Sequence, residues 1–152
     1  MLRWSIAVAA ALLLVAPTTA TAGLTRTESS LLQEMNRVRA QHGLGRLRAD
    51  AHLERAARAH SREMLAHGVF AHGAFGSRML RYDVTGTFAG ENLAWGTGSR
   101  GTARGVVVAW LASPEHRANL LRPSFTRVGI GDLTGSFLGL RGAHVITADF
   151  AG

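Results

Sequence analysis

A layered α+β domain with an antiparallel sheet is the fold class this sequence predicts, and two observations predict it. Apolar residues recur at helical spacing through 28–67 and again through 103–121, whereas the segment beyond Pro123 reads as short strand-like runs broken by turn residues. The two kinds of segment are largely segregated along the chain, and 152 residues suit one domain with its own core.

Taken in order, Thr25-Arg26-Thr27-Glu28 forms a capping box ahead of Leu31, Leu32, Met35 and Val38. A first helix therefore begins there and stops at Gly43. Asp50 caps a second helix, with Leu53, Ala56, Ala57, His60 and Met64 on one face and Glu54, Arg55, Arg58 and Arg62 outward, ending at Gly68. Residues 69–90, Gly-rich and mixed in pattern, form an ordered loop with one helical turn at 78–82. Residues 89–95 read as a strand and 96–101 as a turn, before a third helix marked by Ala103, Val106, Val107, Trp110 and Leu111. Ser113 as N-cap and Pro114 at the first helical position open a short fourth helix that runs to Leu121. The tail predicts strands at 126–133, 137–141 and 143–150, with turns at 134–136 and at Gly142.

Composition narrows the chemistry. With no cysteine, the chain has no disulfide, thiol nucleophile, iron–sulfur cluster or thiolate zinc site. All 17 basic residues are arginine, set against 10 acidic ones for a formal charge of +7. Apart from Arg3, the arginines are scattered over 26–141, the pattern of a solvated surface, which argues against a nucleic-acid partner. Residues 1–22 combine Arg3, an apolar run over 4–16, Pro17 and small residues ending in Ala20-Thr21-Ala22. That is the pattern of a signal peptide with an A-x-A cleavage site, leaving 23–152 as the domain. The apolar run falls short of the roughly 20 residues that span a bilayer. Neither a lipid-attachment cysteine nor a twin arginine accompanies it. The expectation is a secreted monomer, extracellular or in the cell envelope, with no transmembrane segment after cleavage.

Gly96-Thr97-Gly98-Ser99-Arg100-Gly101 fits the dinucleotide-binding G-x-G-x-x-G, but no ribose-binding carboxylate lies roughly 20 residues on. It reads as a flexible strand-to-helix turn. No G-x-S-x-G, S-x-x-K or H-E-x-x-H occurs. Among the histidines, His42, His52, His67 and His144 fall at helix ends or on strand surfaces, and His60 reads as a hydrogen-bonded core residue. His72 sits in Phe70-Ala71-His72-Gly73, and His116 in the first turn of the short helix, where the helix dipole keeps the ring neutral. Glu91 shares a strand face with Leu93 and Trp95, where a carboxylate must be paired or metal-bound. Two imidazoles and one carboxylate suit zinc with a position open to water, and suit equally a buried ionic cluster without metal.

At these residues the chain resembles the CAP superfamily (cysteine-rich secretory, antigen 5 and pathogenesis-related proteins), in its bacterial SCP-like extracellular branch. The resemblance rests on an ordered set: Asn36-Arg37, Gly43-Leu44 and Leu47; Ala56-Ala57, His60-Ser61 and Met64; Phe70-Ala71-His72; Gly90-Glu91-Asn92-Leu93-Ala94. It continues with Trp110; Ser113-Pro114, His116-Arg117 and Asn119-Leu120-Leu121; Val128-Gly129-Ile130-Gly131; and Asp149-Phe150. It implies a three-layer α-β-α sandwich around a small antiparallel sheet. It also implies a cleft in which family members place two His and two Glu, able in some to hold a divalent cation. By motif, His72 is the first His, Glu91 the first Glu and His116 the second His. The second Glu, placed in the family just after the Trp, is missing from Leu111-Ala112-Ser113-Pro114. Glu115 does not replace it, because neighbours on a helix point about 100° apart. The resemblance thus implies a weak or optional Zn²⁺ at His72, Glu91 and His116, with Asn92, Ser113 and Asn119 supporting the cleft. The function to expect is a binding protein for an envelope, lipid or small apolar ligand. The alternatives are a metal-assisted extracellular hydrolase or peptidase, and a structural protein without metal.

Overall fold

Thr25 caps α1 (Arg26–Gln41) through the complete capping box: its hydroxyl accepts from the Glu28 amide, and the Glu28 carboxylate accepts from the Thr25 amide. The structure, a computed structural model, describes residues 23–152, so the signal-peptide expectation for 1–22 lies outside the described residues. A two-residue strand, β1 (Arg48–Ala49), leads into α2 (Ala51–His67). Asp50 caps α2 by accepting from the His52 and Leu53 amides, and Gly68 closes it at φ 64°. Then follow α3 (Phe75–Arg81), β2 (Ala89–Gly96), a 3-10 turn (Gly98–Gly101), α4 (Ala103–Ala112) and α5 (Pro114–Leu120). The hairpin of β3 (Arg127–Phe137) and β4 (Leu140–Ala151) completes the chain.

The sheet has the order β1-β3-β4-β2. Its long pairings, β3 with β4 and β4 with β2, are antiparallel, whereas β1 joins β3 in parallel, so the expected antiparallel sheet is mixed at its shortest edge. Strand alternation divides the core between two faces. On one, Val128, Ile130, Ile146, Ala148 and Phe150 pack with Leu31, Met35 and Val38 of α1, Val106, Val107 and Trp110 of α4, and Leu120 of α5. On the other, Leu93, Phe137 and Val145 pack with Met64 of α2, while Ala151 packs with Leu53, Ala56 and Met79. Helices thus cover both faces, giving the three-layer sandwich.

Two glycines seat α2 on the sheet. A Cβ on Gly129 would stand 1.9 Å from the Leu53 carbonyl carbon, and one on Gly131 would stand 2.6 Å from that of Ala57. The helix backbone therefore rests on bare strand. There the Ser61 hydroxyl meets the Gly131 carbonyl and the Thr147 hydroxyl, each at 2.9 Å.

Several elements depart from the sequence expectation. β3 runs straight through 134–136, and the hairpin turns instead at Leu138-Gly139, with φ of 47° and 82°. Leucine carries no turn signal, whereas Thr134-Gly135-Ser136 does; that segment takes up a register shift between Gly135 and Phe137. The tail therefore holds two long strands rather than three short ones. The loop expected over 69–90 contains a complete helix, α3, that begins at Phe75. Glu54, expected outward, is buried: Arg58, drawn in by Glu28 at 2.5 Å, lies 3.6 Å from it. Ser113 stands at the N-cap of α5 without a side-chain capping bond.

Candidate functional site

Alternation along β2 turns Glu91, Leu93 and Trp95 toward α2, and the register sets Glu91 directly opposite Asp149 of β4. Two buried carboxylates facing each other across strands repel unless something neutralises them. Arg78 of α3 does so. Its guanidinium, on a residue 8% exposed, donates from Nη2 to Glu91 Oε2 and lies 3.6 Å from Asp149 Oδ1. Its Nη1 donates to the His72 carbonyl at 3.3 Å, and the Phe75 ring lies 5.5 Å from it.

His72, in the loop between α2 and α3, meets the other Glu91 oxygen through Nδ1 at 2.6 Å. Its side chain is 59% exposed, so a buried carboxylate orients a ring that the solvent can reach. His60 lies deeper on α2. Its Nε2 is 2.9 Å from the Ala71 carbonyl, which selects the Nε2–H tautomer, and 3.8 Å from Glu91 Oε2. His60 Nδ1 is buried without a hydrogen bond and borders a cavity of about 240 Å³ lined also by Glu63, Met64, His67 and Val69.

On the other side of β2, which is an edge strand, α5 is held by amides. Asn92 Nδ2 donates to the His116 carbonyl at 2.9 Å, while Asn119 Nδ2 donates to the Glu91 carbonyl at 3.1 Å and to Asn92 Oδ1 at 3.0 Å. His116 is thereby positioned through its backbone, with its ring half-buried. Ser113 contributes no capping bond.

Burial sets the electrostatics. It raises Glu91 to about 7, against the pull of Arg78 and of a bond with Asp149. Asp149 is pushed well above the usual carboxylate range by burial and then by the Glu91 charge. Desolvation, followed by the Arg78 charge, holds His60 below its ordinary value. Desolvation followed by the His72 charge does the same to His116. The neutral His116 expected from the helix dipole thus has burial as its leading cause.

The donor set does not fit zinc. Both Glu91 oxygens are taken, one by the His72 ring and the other by a guanidinium. His72 Nδ1 and Glu91 Oε1 stand 2.6 Å apart, a hydrogen-bond separation, whereas two ligands on one tetrahedral zinc at ~2.0–2.1 Å stand about 3.3 Å apart. Among the described residues no group of three His, Cys, Asp or Glu side chains is disposed to hold a metal.

The structure joins His72 to Glu91 directly and sets the His72 charge near enough to act on His116, and it adds Arg78 and Asp149, which sequence reading overlooked. Asp149 carried a usable signal: in β4 it alternates with Val145 and Thr147 on the face that Glu91 occupies in β2. Arg78 carried none, because an arginine in a short helix looks like every other surface arginine of this chain.

Comparison with known proteins agrees with this fold. The model of the CAP, cysteine-rich secretory protein family matches residues 32–150. The chain is 34% identical over 119 residues to the uncharacterized protein YkwD of Bacillus subtilis (strain 168), covering 75% of this chain and 45% of that one. It is 32% identical over 112 residues to the uncharacterized membrane protein YlbC of the same strain, covering 70% and 32%. It therefore spans less than half the length of either curated relative. Among solved structures, an outer surface protein of Borrelia burgdorferi aligns with a TM-score of 0.67 at 25% identity, over 79% of this chain and 87% of that one. An extracellular SCP-domain protein of Bacillus anthracis aligns with a TM-score of 0.65 at 28% identity, over 85% and 44%. With the family model spanning most of the described residues, and the α-β-α layers and the ordered motifs in place, the chain belongs to the cysteine-rich secretory protein (CAP) family, in a form that contains no cysteine.

Proposed function

We propose that this CAP domain is exported and binds a cell-envelope ligand at the rim formed by His72 and His116, without transforming it. One observation carries the reading: Glu91, buried and fixed by Arg78, orients the His72 ring while leaving that ring 59% exposed. An imidazole held at one nitrogen presents the other as a fixed hydrogen-bond partner, so little freedom is lost when a polar ligand group docks. Asn92 and Asn119 fix the backbone of α5 against β2, with the His116 ring near enough to feel the His72 charge. Export is supported by the pattern of residues 1–22, and envelope location by the outer-surface and extracellular neighbours.

The test uses purified peptidoglycan sacculi and co-sedimentation of residues 23–152. Wild type is expected in the pellet, with His72→Ala and His116→Ala each weakening retention about tenfold, the weight of one well-made polar contact. Variants that sediment like wild type would remove the cleft from the reading. The His72–Glu91 bond is also the arrangement of an oriented general base, so a peptidase and esterase panel accompanies the assay. Turnover that disappears in His72→Ala would replace the binding protein with a hydrolase.

A further inference from the structure

We propose that Arg78 is the resident cation of this cleft, fixed on the carboxylate through which the family's divalent metal would be held and so excluding it. The inference shares its cleft with the proposed function but does not depend on any ligand, and zinc alone is its probe. The two buried carboxylates that face each other on β2 and β4 demand positive charge on the α2 side of the sheet. The side chain that supplies it comes from α3, where the sequence expectation had only one helical turn at 78–82. Its guanidinium joins three segments at once: the Glu91 side chain on β2, Asp149 on β4 and the His72 carbonyl in the loop between α2 and α3. Guanidinium geometry suits this, since a rigid fork of donors satisfies a carboxylate and a carbonyl together, whereas a metal would need their lone pairs directed at one point. A divalent ion seated on Glu91 would meet a fixed like charge sharing the same carboxylate.

The experiment is calorimetric titration of residues 23–152 with ZnCl₂ at pH 7.5, using wild type, Arg78→Met, and Arg78→Met combined with Glu91→Gln or His72→Ala. Methionine keeps the aliphatic bulk and removes the charge. Wild type is expected to bind zinc no tighter than millimolar. Arg78→Met should gain affinity at least tenfold, and either second substitution should abolish the gain. If Arg78→Met does not fold alone, zinc added during refolding should restore its circular-dichroism spectrum in the same Glu91- and His72-dependent way. Micromolar zinc binding by wild type that is lost in His72→Ala would overturn the proposal. So would a folded Arg78→Met without the gain, or an unfolded one that zinc does not rescue. Failure of wild type to sediment with sacculi, with this zinc pattern intact, would overturn the proposed function alone.

Discussion

Glu91 is the residue on which chemistry and stability meet. Because its carboxyl rises from 4.5 to about 7 on folding, the native state keeps a proton that the unfolded chain releases between those values. Glu91 therefore costs stability as pH climbs through that window. His60 and His116, held low by burial, act in the opposite sense below 6.5, since the unfolded chain binds their protons more readily. The diagnostic is thus a difference: Glu91→Gln should gain melting temperature relative to wild type as pH rises from about 4.5 to 7, and a flat difference would show that Glu91 does not titrate there. At this scale the sequence was half legible. A carboxylate on an apolar strand face announces that something must pair it, but what pairs it is decided by three-dimensional proximity. Asp149 and Arg78 are 58 and 13 positions away from Glu91 along the chain, and no spacing rule links them. Ser113 shows the converse, a residue in the right place for a cap whose side chain makes no capping bond.

At the scale of elements, the helices other than α3 were read well because their signals are local. Thr25, Asp50 and Pro114 mark starts by satisfying or lacking backbone donors within one turn. Turns in the tail were misread because Leu138 adopts a left-handed conformation without the residue types that favour one. Packing between elements was not legible at all, although Gly129 and Gly131 control it. A methyl group at Gly129 has no room against the Leu53 and Glu54 backbone. Gly129→Ala should therefore lift α2 off β3 and destabilise the domain by about 3 kcal/mol, the upper end of ordinary overpacking. Because α2 carries His60, the same variant should shift the His60 ring resonances in NMR spectra. Alanine at Gly139, which has open space around it but a φ of 82°, should leave those resonances unmoved. Equal shifts in both variants would mean that the glycine stripe does not set the seat of the helix.

For the whole molecule, the absence of disulfides leaves long-range cohesion to the core and to a few buried polar ties. Arg39, 1% exposed, is one of these: it donates to the carbonyls of Gly45, Leu120, Arg122 and Phe125, joining α1 to the segment between α5 and β3. Arg39→Met strands several of those carbonyls and should cost about 3 kcal/mol or more by urea denaturation. It should keep a single transition, because the tie spans the whole fold; two transitions would show that α1 and the hairpin unfold independently. The hairpin itself offers a practical handle. Its turn at Leu138-Gly139 is exposed, and β4 runs from Leu140 to Asp149 before reaching the carboxylate cluster, about 30 Å at roughly 3.3 Å per residue. An epitope, biotin acceptor or fluorophore spliced into that turn would tether the domain to a surface with the Glu91–Asp149 end facing away from the support.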